Sequence, residues 1–421
     1  MAAKQSKLGR FSLGIGDRFG MEGRAQLRAL KMALERGVEV IPVWNKSYRE
    51  HTLIGTEPSC AREEAERAVK EEDWTLPYFV DADHVGLKTV DRFLSACDFF
   101  TLDVADFIGK KLPDDEIKKF VDVTAPKLGK LRHPDLPGEV VITPAEVERF
   151  AHRYLFAVQE AGRIYAYIKK QMAGRAFVAE VSVDEAFEPQ SPAEVYLLLA
   201  GLTQQGVAVQ TIAPKFSGKF LKGVDYVGDV QSFLREFRSD LAVIELAKSS
   251  FPLPADLKLS VHSGSDKFSL YPGIHSLLMK SGSGLHLKTA GTTWLEEVTG
   301  LAADSRGLAF AKKIYAQAYE RIEELCRPYE TVVEIDQSNL PSPAAVAGWS
   351  SEEFISTLGH DPSSPKFNRD FRQLVHIAFR IAAELRKEFG EELRRSRHAI
   401  ERNVTENLSL RHIQPLFVRG E

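Results

Sequence analysis

The sequence predicts a (β/α)8 TIM-like barrel with a helical insertion around residues 113–172 and a mainly helical C-terminal extension. Three observations carry that expectation. Short apolar runs rich in Val, Ile and Phe alternate with runs spaced like helices. Eight of these apolar runs occur, as a closed parallel barrel needs, and they are apolar enough to be covered on both faces. Nearly all end in ionisable or hydroxyl residues, as strands do where they open into a barrel mouth.

The strand candidates, in order, are "RFSLGIG" near Phe11, "VEVIPVW" from Val38, "LPYFVDAD" from Leu76 and "DFFTLDVAD" from Asp98. They continue with "AFVAEVSVD" from Ala176, "VAVQTIAP" from Val207, "LKLSVHS" from Leu257 and "GLHLKTAG" from Gly284. "ETVVEIDQ" near Val333 is a ninth candidate, and an open doubly wound sheet is the alternative architecture. No GxGxxG stands between a strand and a helix, which disfavours a dinucleotide-binding version of that sheet. Among the helices, "GRAQLRALKMALERG" carries helically spaced apolar residues and stops at Gly37, a C-cap signal. "SPAEVYLLLAGLTQQG" opens on a Ser N-cap followed by Pro and stops at Gly206. Residues 113–172 break the rhythm after the fourth strand with a proline-punctuated, ion-rich part and a long helical run. Residues 1–300 therefore read as the barrel domain, and residues 301–421 as helices packed on it.

Bulk properties narrow the function. The chain has 421 residues, enough for a barrel and a second unit. Its formal charge of −4 gives no basic field for nucleic acid. No stretch approaches the ~18 apolar residues of a membrane helix. The N-terminus "MAAKQSKLGRFSLG" has no apolar signal core, and Cys60, Cys97 and Cys326 form no CxxC pair. These features point to a cytoplasmic protein with reduced thiols, free of disulfide staples and zinc knuckles. The sequence leaves room for a homo-oligomer.

The strand ends hold the candidate chemistry. "YFVDADHVGLK" leaves Asp81, Asp83 and His84, and "FTLDVADFIGK" leaves Asp103 and Asp106. "FVAEVSVDE" leaves Glu180, Ser182, Asp184 and Glu185, and "QTIAPKFSGKF" leaves Gln210, Lys215, Ser217 and Lys219. "LKLSVHSGSDKFSLYP" releases His262, Ser263, Ser265, Asp266 and Lys267, and "GLHLKTAGTT" releases His286, Lys288, Thr289 and Thr292. Burying such groups without partners costs roughly several kcal/mol each, so they are expected to line a wet cavity. His84, His262 and His286 stand on three separate strands beside carboxylates, a set able to hold a divalent metal with a position left open for substrate. There is no HExxH or similar local spacing, so this metal site depends on the barrel. His133, His152, His275, His398 and His412 read as surface or packing residues, while His360 and His376, near the polar stretch "GHDPSSPKFNRDF", stay open. "LGIGDRFG" reads either as a tight turn at the first strand end or as a substrate-contacting loop.

At "YFVDADHVGLKTVDRF", "FVAEVSVDE", "QTIAPKFSGKFLKGVDYVGD", "LSVHSGSDKFSLYP" and "LHLKTAGTTWLEE" the chain resembles the tagaturonate epimerase family. The resemblance extends through "HDPSSPKFNRDFRQLVH" to "NVTENLSLRHIQPLF". It implies a metal-dependent interconversion of two ketouronates, D-tagaturonate and D-fructuronate, in hexuronate breakdown. It also implies Asp83 as a base beside the metal ligand His84, with His262 and His286 completing the site. Glu180 would be the opposite acid and Glu185 its alternative. Mn, Fe, Co, Ni and Zn all suit such ligands.

These ketouronates differ at C4, which is β to the C2 ketone, so simple enolisation cannot invert it. Retro-aldol cleavage of C3–C4 and re-addition can, and the missing dinucleotide motif disfavours transient oxidation at C4. A retro-aldol needs a Lewis acid at O2 and acid–base groups reaching O4. On this reading Ser263 and Asp266 bind hydroxyls, and Lys215, Lys219, Lys267 or Lys288 meets the substrate carboxylate. The alternatives are a sugar-acid isomerase or aldolase on the same barrel, including a metal-free Schiff-base enzyme using Lys288 or Lys215, and a sugar-acid binding protein without turnover.

Overall fold

The computed structural model describes residues 7–289 and 291–418. Residues 1–6, on which the N-terminal reading partly rests, lie outside the described residues. All eight predicted barrel strands form: β1 (Phe11–Ile15), β2 (Val40–Ser47), β3 (Phe79–Val85), β4 (Phe99–Asp103), β7 (Val178–Ser182), β8 (Thr211–Ala213), β9 (Lys258–Val261) and β10 (Leu285–Lys288). Between β4 and β7 lies a short antiparallel hairpin of β5 (Lys130–Leu131) and β6 (Val140–Val141). The eight barrel strands close in the order β1-β10-β9-β8-β7-β4-β3-β2. Every neighbouring pair is parallel. "ETVVEIDQ" joins no strand; Val333 packs in the helical extension instead.

The inside of the barrel is layered because strand side chains alternate with a period of two. Ile41, Val43, Phe79, Phe99 and Val178 fill its lower part with an apolar plug. One step up each strand the side chains become Asp81, Thr101, Glu180, Thr211 and His286, all buried. A further step reaches Asp83, Asp103, Ser182, His262 and Lys288 at the mouth. Gly14 on β1 leaves room for this layer, since a Cβ there would stand 3.0 Å from both Cα and Cγ of Lys288.

The barrel helices are α1 (Gly23–Glu35), α2 (Tyr48–Ile54), α3 (Pro58–Glu71), α4 (Asp114–Thr124), α5 (Pro144–Met172), α6 (Pro192–Gln204), α7 (Val230–Ser250), α8 (Tyr271–Ser281) and α9 (Thr292–Leu301). Ser191 caps α6 in a reciprocal capping box with Glu194, Pro192 occupies its first turn, and Gly206 turns left-handed just beyond it. The segment read as an insertion contains α4, the hairpin and α5. Its long helix α5 packs on β4, α4 and α6, the place of a barrel helix.

The C-terminal helices are α10 (Ser305–Glu320), α11 (Ile322–Cys326), α12 (Pro343–Ala347), α13 (Ser351–Leu358), α14 (Arg369–Ile377), α15 (Phe379–Glu384), α16 (Arg386–Arg395) and α17 (Arg397–Glu406). Their apolar faces join α9 in a second core. Asn407–Val418 then winds as a π-helix that returns to the barrel wall between α1 and α8, and the Phe417 ring stands 4.9 Å from that of Phe11. The extension also covers part of the mouth: Arg372 donates to the Gly223 carbonyl and Lys222 N–H to that of Val332. No described helix is long and apolar enough to cross a membrane.

Candidate metal centre at the barrel mouth

Lys288 is the hub. Its ammonium reaches Asp81 Oδ2 at 2.9 Å, Asp83 Oδ1 at 2.8 Å, Glu180 Oε1 at 2.9 Å and Thr101 Oγ1 at 2.6 Å. Burial would lower its pKa, but the three carboxylates raise it well above the usual lysine value. Burial would likewise raise Asp83 and Glu180, yet Lys288 and the histidines hold both below the usual carboxylate range. Asp81, the deepest partner, is lifted to about 7 by burial and by its acidic neighbours against the pull of Lys288.

Two carboxylates of this network grip two histidines. Asp83 Oδ1 lies 3.0 Å from His84 Nδ1, and Glu180 Oε1 lies 2.7 Å from His262 Nε2. The other ring nitrogens turn to Asp184: His262 Nδ1 stands 3.2 Å from Oδ2 and His84 Nε2 3.9 Å from Oδ1. One ligand atom from each of His84, Asp184 and His262 falls within 4.8 Å of the others. First-row ions with bonds of roughly 2.0–2.2 Å suit such a cluster. A carboxylate behind each imidazole is the usual outer partner of a metal-binding histidine, fixing its tautomer and orientation. The charge balance fits as well, because three carboxylates reach Lys288 and Asp184 adds a fourth beside the histidines. As the group stands, burial would lower the histidines, but Asp184 and Glu180 raise His262 to about 9, and Asp83 and Asp184 raise His84. The backbone is bent to serve the site: His84, Ser263 and Asp266 have φ of 54°, 50° and 62°, and β3 shifts register against β4 between Ala82 and Val85. Left-handed non-glycine residues cost about 1 kcal/mol or more and concentrate at functional sites.

Several predicted roles change. His286 stands apart from His84 and His262. It sits one layer deeper, with Nδ1 2.9 Å from Ser12 Oγ and its ring against Phe99, and burial lowers its pKa to about 3. Asp184, two residues beyond β7, is the third group beside His84 and His262. Glu180 is fully buried, with Thr211 donating to its second oxygen at 2.8 Å and His262 Nε2 on its first. Asp83 is 14% exposed, beside His84 at 26% and Asp184 at 23%. Glu185 is exposed at the rim.

Among the predicted substrate contacts, Lys267 is consumed by the carbonyls of Leu221, Val224 and Ser265 at 2.8–2.9 Å, which uses all three of its protons. Asp266 accepts from Arg372 Nη2 and Thr292 Oγ1, both at 3.2 Å, and ties the mouth loop to the extension. Lys288 belongs to the carboxylate network and is not a free cation. Lys215 is half-buried, and its backbone N–H donates to Gln190 at 2.8 Å. Ser263 does face a cation, accepting from Lys222 Nζ at 2.8 Å. Lys222 lies within "QTIAPKFSGKFLKGVDYVGD" but too far past the strand end for position alone to mark it.

A family model described as tagaturonate epimerase matches residues 2–414. The chain is 29% identical over 384 residues to a tagaturonate/fructuronate epimerase of Thermotoga maritima, covering 88% of this chain and 73% of that protein. It is similar to the glycerol-bound crystal structure of a fructuronate-tagaturonate epimerase from Cohnella laeviribosi, with a TM-score of 0.81 at 27% identity, covering 98% of this chain and 82% of that one. A second structure of that protein, with two glycerols, gives a TM-score of 0.79 at 26% identity over the same shares.

Proposed function

The chain belongs to the tagaturonate epimerase family, and from that premise we propose that it inverts C4 of D-tagaturonate and D-fructuronate by retro-aldol cleavage and re-addition at a divalent metal centre. The observation that carries this reading is the pairing of His84 and His262, each backed by its own carboxylate, around Asp184. His84, Asp184 and His262 are the residues that would hold the cation. When bound, it would supply the Lewis acidity that the negative charge developing on O2 requires.

The chain's own groups do the rest. Asp83 keeps one oxygen on Lys288 and His84, and its partly exposed carboxylate is the group best placed to take the O4 proton. As that proton leaves, the C3–C4 bond breaks, its electron pair moves into the C2–C3 enediolate, and C4 becomes an aldehyde carbon. Rotation of the aldehyde fragment and re-addition to its other face re-form C3–C4, and O4 is reprotonated. Glu180 keeps His262 oriented throughout. Lys288 helps hold Asp83 and Glu180 ionised, and its raised pKa argues against the free amine a Schiff-base aldolase needs. The free thiols Cys60, Cys97 and Cys326 are in keeping with a cytoplasmic setting.

Incubating the metal-loaded protein with D-tagaturonate in D2O tests the reading. D-fructuronate should form with no solvent deuterium at C4, and substrate deuterated at C4 should keep its label. Solvent deuterium at C4 would overturn the retro-aldol step. Absence of D-fructuronate would overturn the assignment, and an adduct trapped by borohydride would replace the metal route with an imine.

A further inference from the structure

A ketouronate carries a carboxylate, and three of the four lysines expected to meet it are engaged elsewhere: Lys267 on carbonyls, Lys288 on carboxylates, and Lys219 on Glu334 of the extension. A second group of positive charge sits on the other wall of the mouth. Arg18, in the loop after β1, is only 7% exposed. Its guanidinium lies 3.7 Å over the Phe379 ring, and Nη1 has no hydrogen-bond partner among the described residues. Its Nε stands 3.3 Å from Glu50 Oε1 without hydrogen-bond alignment. The loop is rigid, because the Asp17 carboxylate accepts from the backbone N–H groups of Phe19, Met21 and Glu22. His376, on α14, is 2% exposed, and its Nδ1 is also unpartnered among the described residues.

These groups converge. A single point, where a Cβ on Gly291 would stand, is 2.5 Å from His376 Nε2 and 3.7 Å from Arg18 Nη2. The same His376 ring lies 3.3 Å from the corresponding point on Gly223, next to Lys222. Lys222 in turn holds Ser263, the neighbour of the metal-group residue His262. Burial and repulsion from Arg18 lower Lys222 against the pull of Glu50 and Asp184, and burial with repulsion from Arg18 and Lys222 lowers His376. Arg18 and Lys222 are thus both largely out of water, with Glu50 as a carboxylate beside Arg18 and with buried donors left over that a further anion would satisfy.

On the premise that the substrate is a ketouronate, we infer that Arg18, Lys222 and His376 form the subsite for its carboxylate, with Gly291 letting the His376 ring stand close against its backbone beside Arg18. Calorimetric titration of the metal-loaded protein tests this without relying on turnover. The probes are D-tagaturonate, as its equilibrium mixture, and the neutral ketohexose D-tagatose, which has CH2OH in place of the carboxylate. The wild type should bind the ketouronate at least about tenfold more tightly. Arg18→Met and Lys222→Met should each weaken ketouronate binding by about 10- to 100-fold. They should shift the ketohexose by less than about threefold, with metal content and melting temperature held. Arg18→Lys should fall between, and Lys219→Met, on the same loop but paired with Glu334, should change neither ligand. Equal wild-type affinity for the two ligands, or equal loss of both in the variants, would overturn the subsite. Tight, discriminating binding without epimerisation would instead fault the proposed reaction and leave the subsite standing.

Discussion

Two clusters of buried carboxylates lie in this molecule, and they differ in what stands beside them. At the barrel mouth, Asp81, Asp83, Glu180 and Asp184 surround Lys288 and two histidines, and burial is outweighed at three of the four, which are held below the usual carboxylate range. Around the start of α1, Asp17, Glu22, Glu64 and Glu297 crowd together from the β1–α1 loop, α3 and α9. There burial dominates, reinforced by the acids' own repulsion. Glu22 rises to about 8, and Glu64 and Glu297 rise well above their ordinary value. Lys46 and Arg18 pull only weakly against it. The lesson is that burial alone makes a carboxylate a neutral acid, and only where neighbouring cations outweigh burial does it stay an anion able to orient a histidine or hold a metal.

The strongest way to break the first cluster is to remove one of the proposed ligands. His262→Ala should lose bound metal and epimerase activity together, measured by elemental analysis and by product formation. Full activity in protein shown to be metal-free would contradict the centre. Next in size is Asp83→Asn, expected to cost roughly 10²–10⁴ in kcat with metal retained, as loss of a proton carrier does. Glu180→Gln should behave differently, losing about 10- to 100-fold mainly through weaker metal affinity, because Glu180 acts through His262. If both variants respond alike to added metal, the two carboxylates share one role.

Much of the fold was legible in the sequence. The eight strand runs are bounded by glycine, proline or charge, and their apolar faces leave little choice. "ETVVEIDQ" looked equally strand-like, but a barrel closed by β1 and β10 has no edge left to take it. The site was legible only in outline. His84 and His262 stand where strand ends suggested, whereas His286 shares a face with Lys288 two residues away and so lies a layer deeper. Depth along a strand is set by register between strands, which no single run reveals. The fate of Lys267 was hidden for a similar reason, since its acceptors belong to a loop some forty residues earlier. Arg18 sits in "LGIGDRFG", whose reading as turn or contact loop depended on what α14 and α15 bring down upon it.

A smaller effect is expected from Lys288→Met, and it concerns stability. It leaves the buried Asp81 and Glu180 and the half-buried Asp83 without their cation, and breaking a buried pair from one side costs about 3–5 kcal/mol. Denaturant titration should show that loss, and added divalent metal should restore part of it. A variant as stable as the wild type would mean that the carboxylates there are already neutral.

The second cluster predicts the smallest change and one of opposite sign. Glu22 is protonated in the folded protein up to about pH 8 but ionises near 4.5 once unfolded. Between those values the native state binds the extra proton, so stability from this group is full below about pH 4.5 and is lost as pH rises through 8. Glu22 also occupies the N-cap of α1, where the helix dipole favours negative charge and softens the effect. Glu22→Gln keeps the shape and removes the titration. It should therefore gain on the wild type by about 1–3 kcal/mol between pH 5 and pH 8, read from urea midpoints at several pH values. Parallel stability curves for the two proteins would show that Glu22 is ionised in the folded state. The acidic cluster would then hold a cation partner after all, and the contrast with the barrel mouth would disappear.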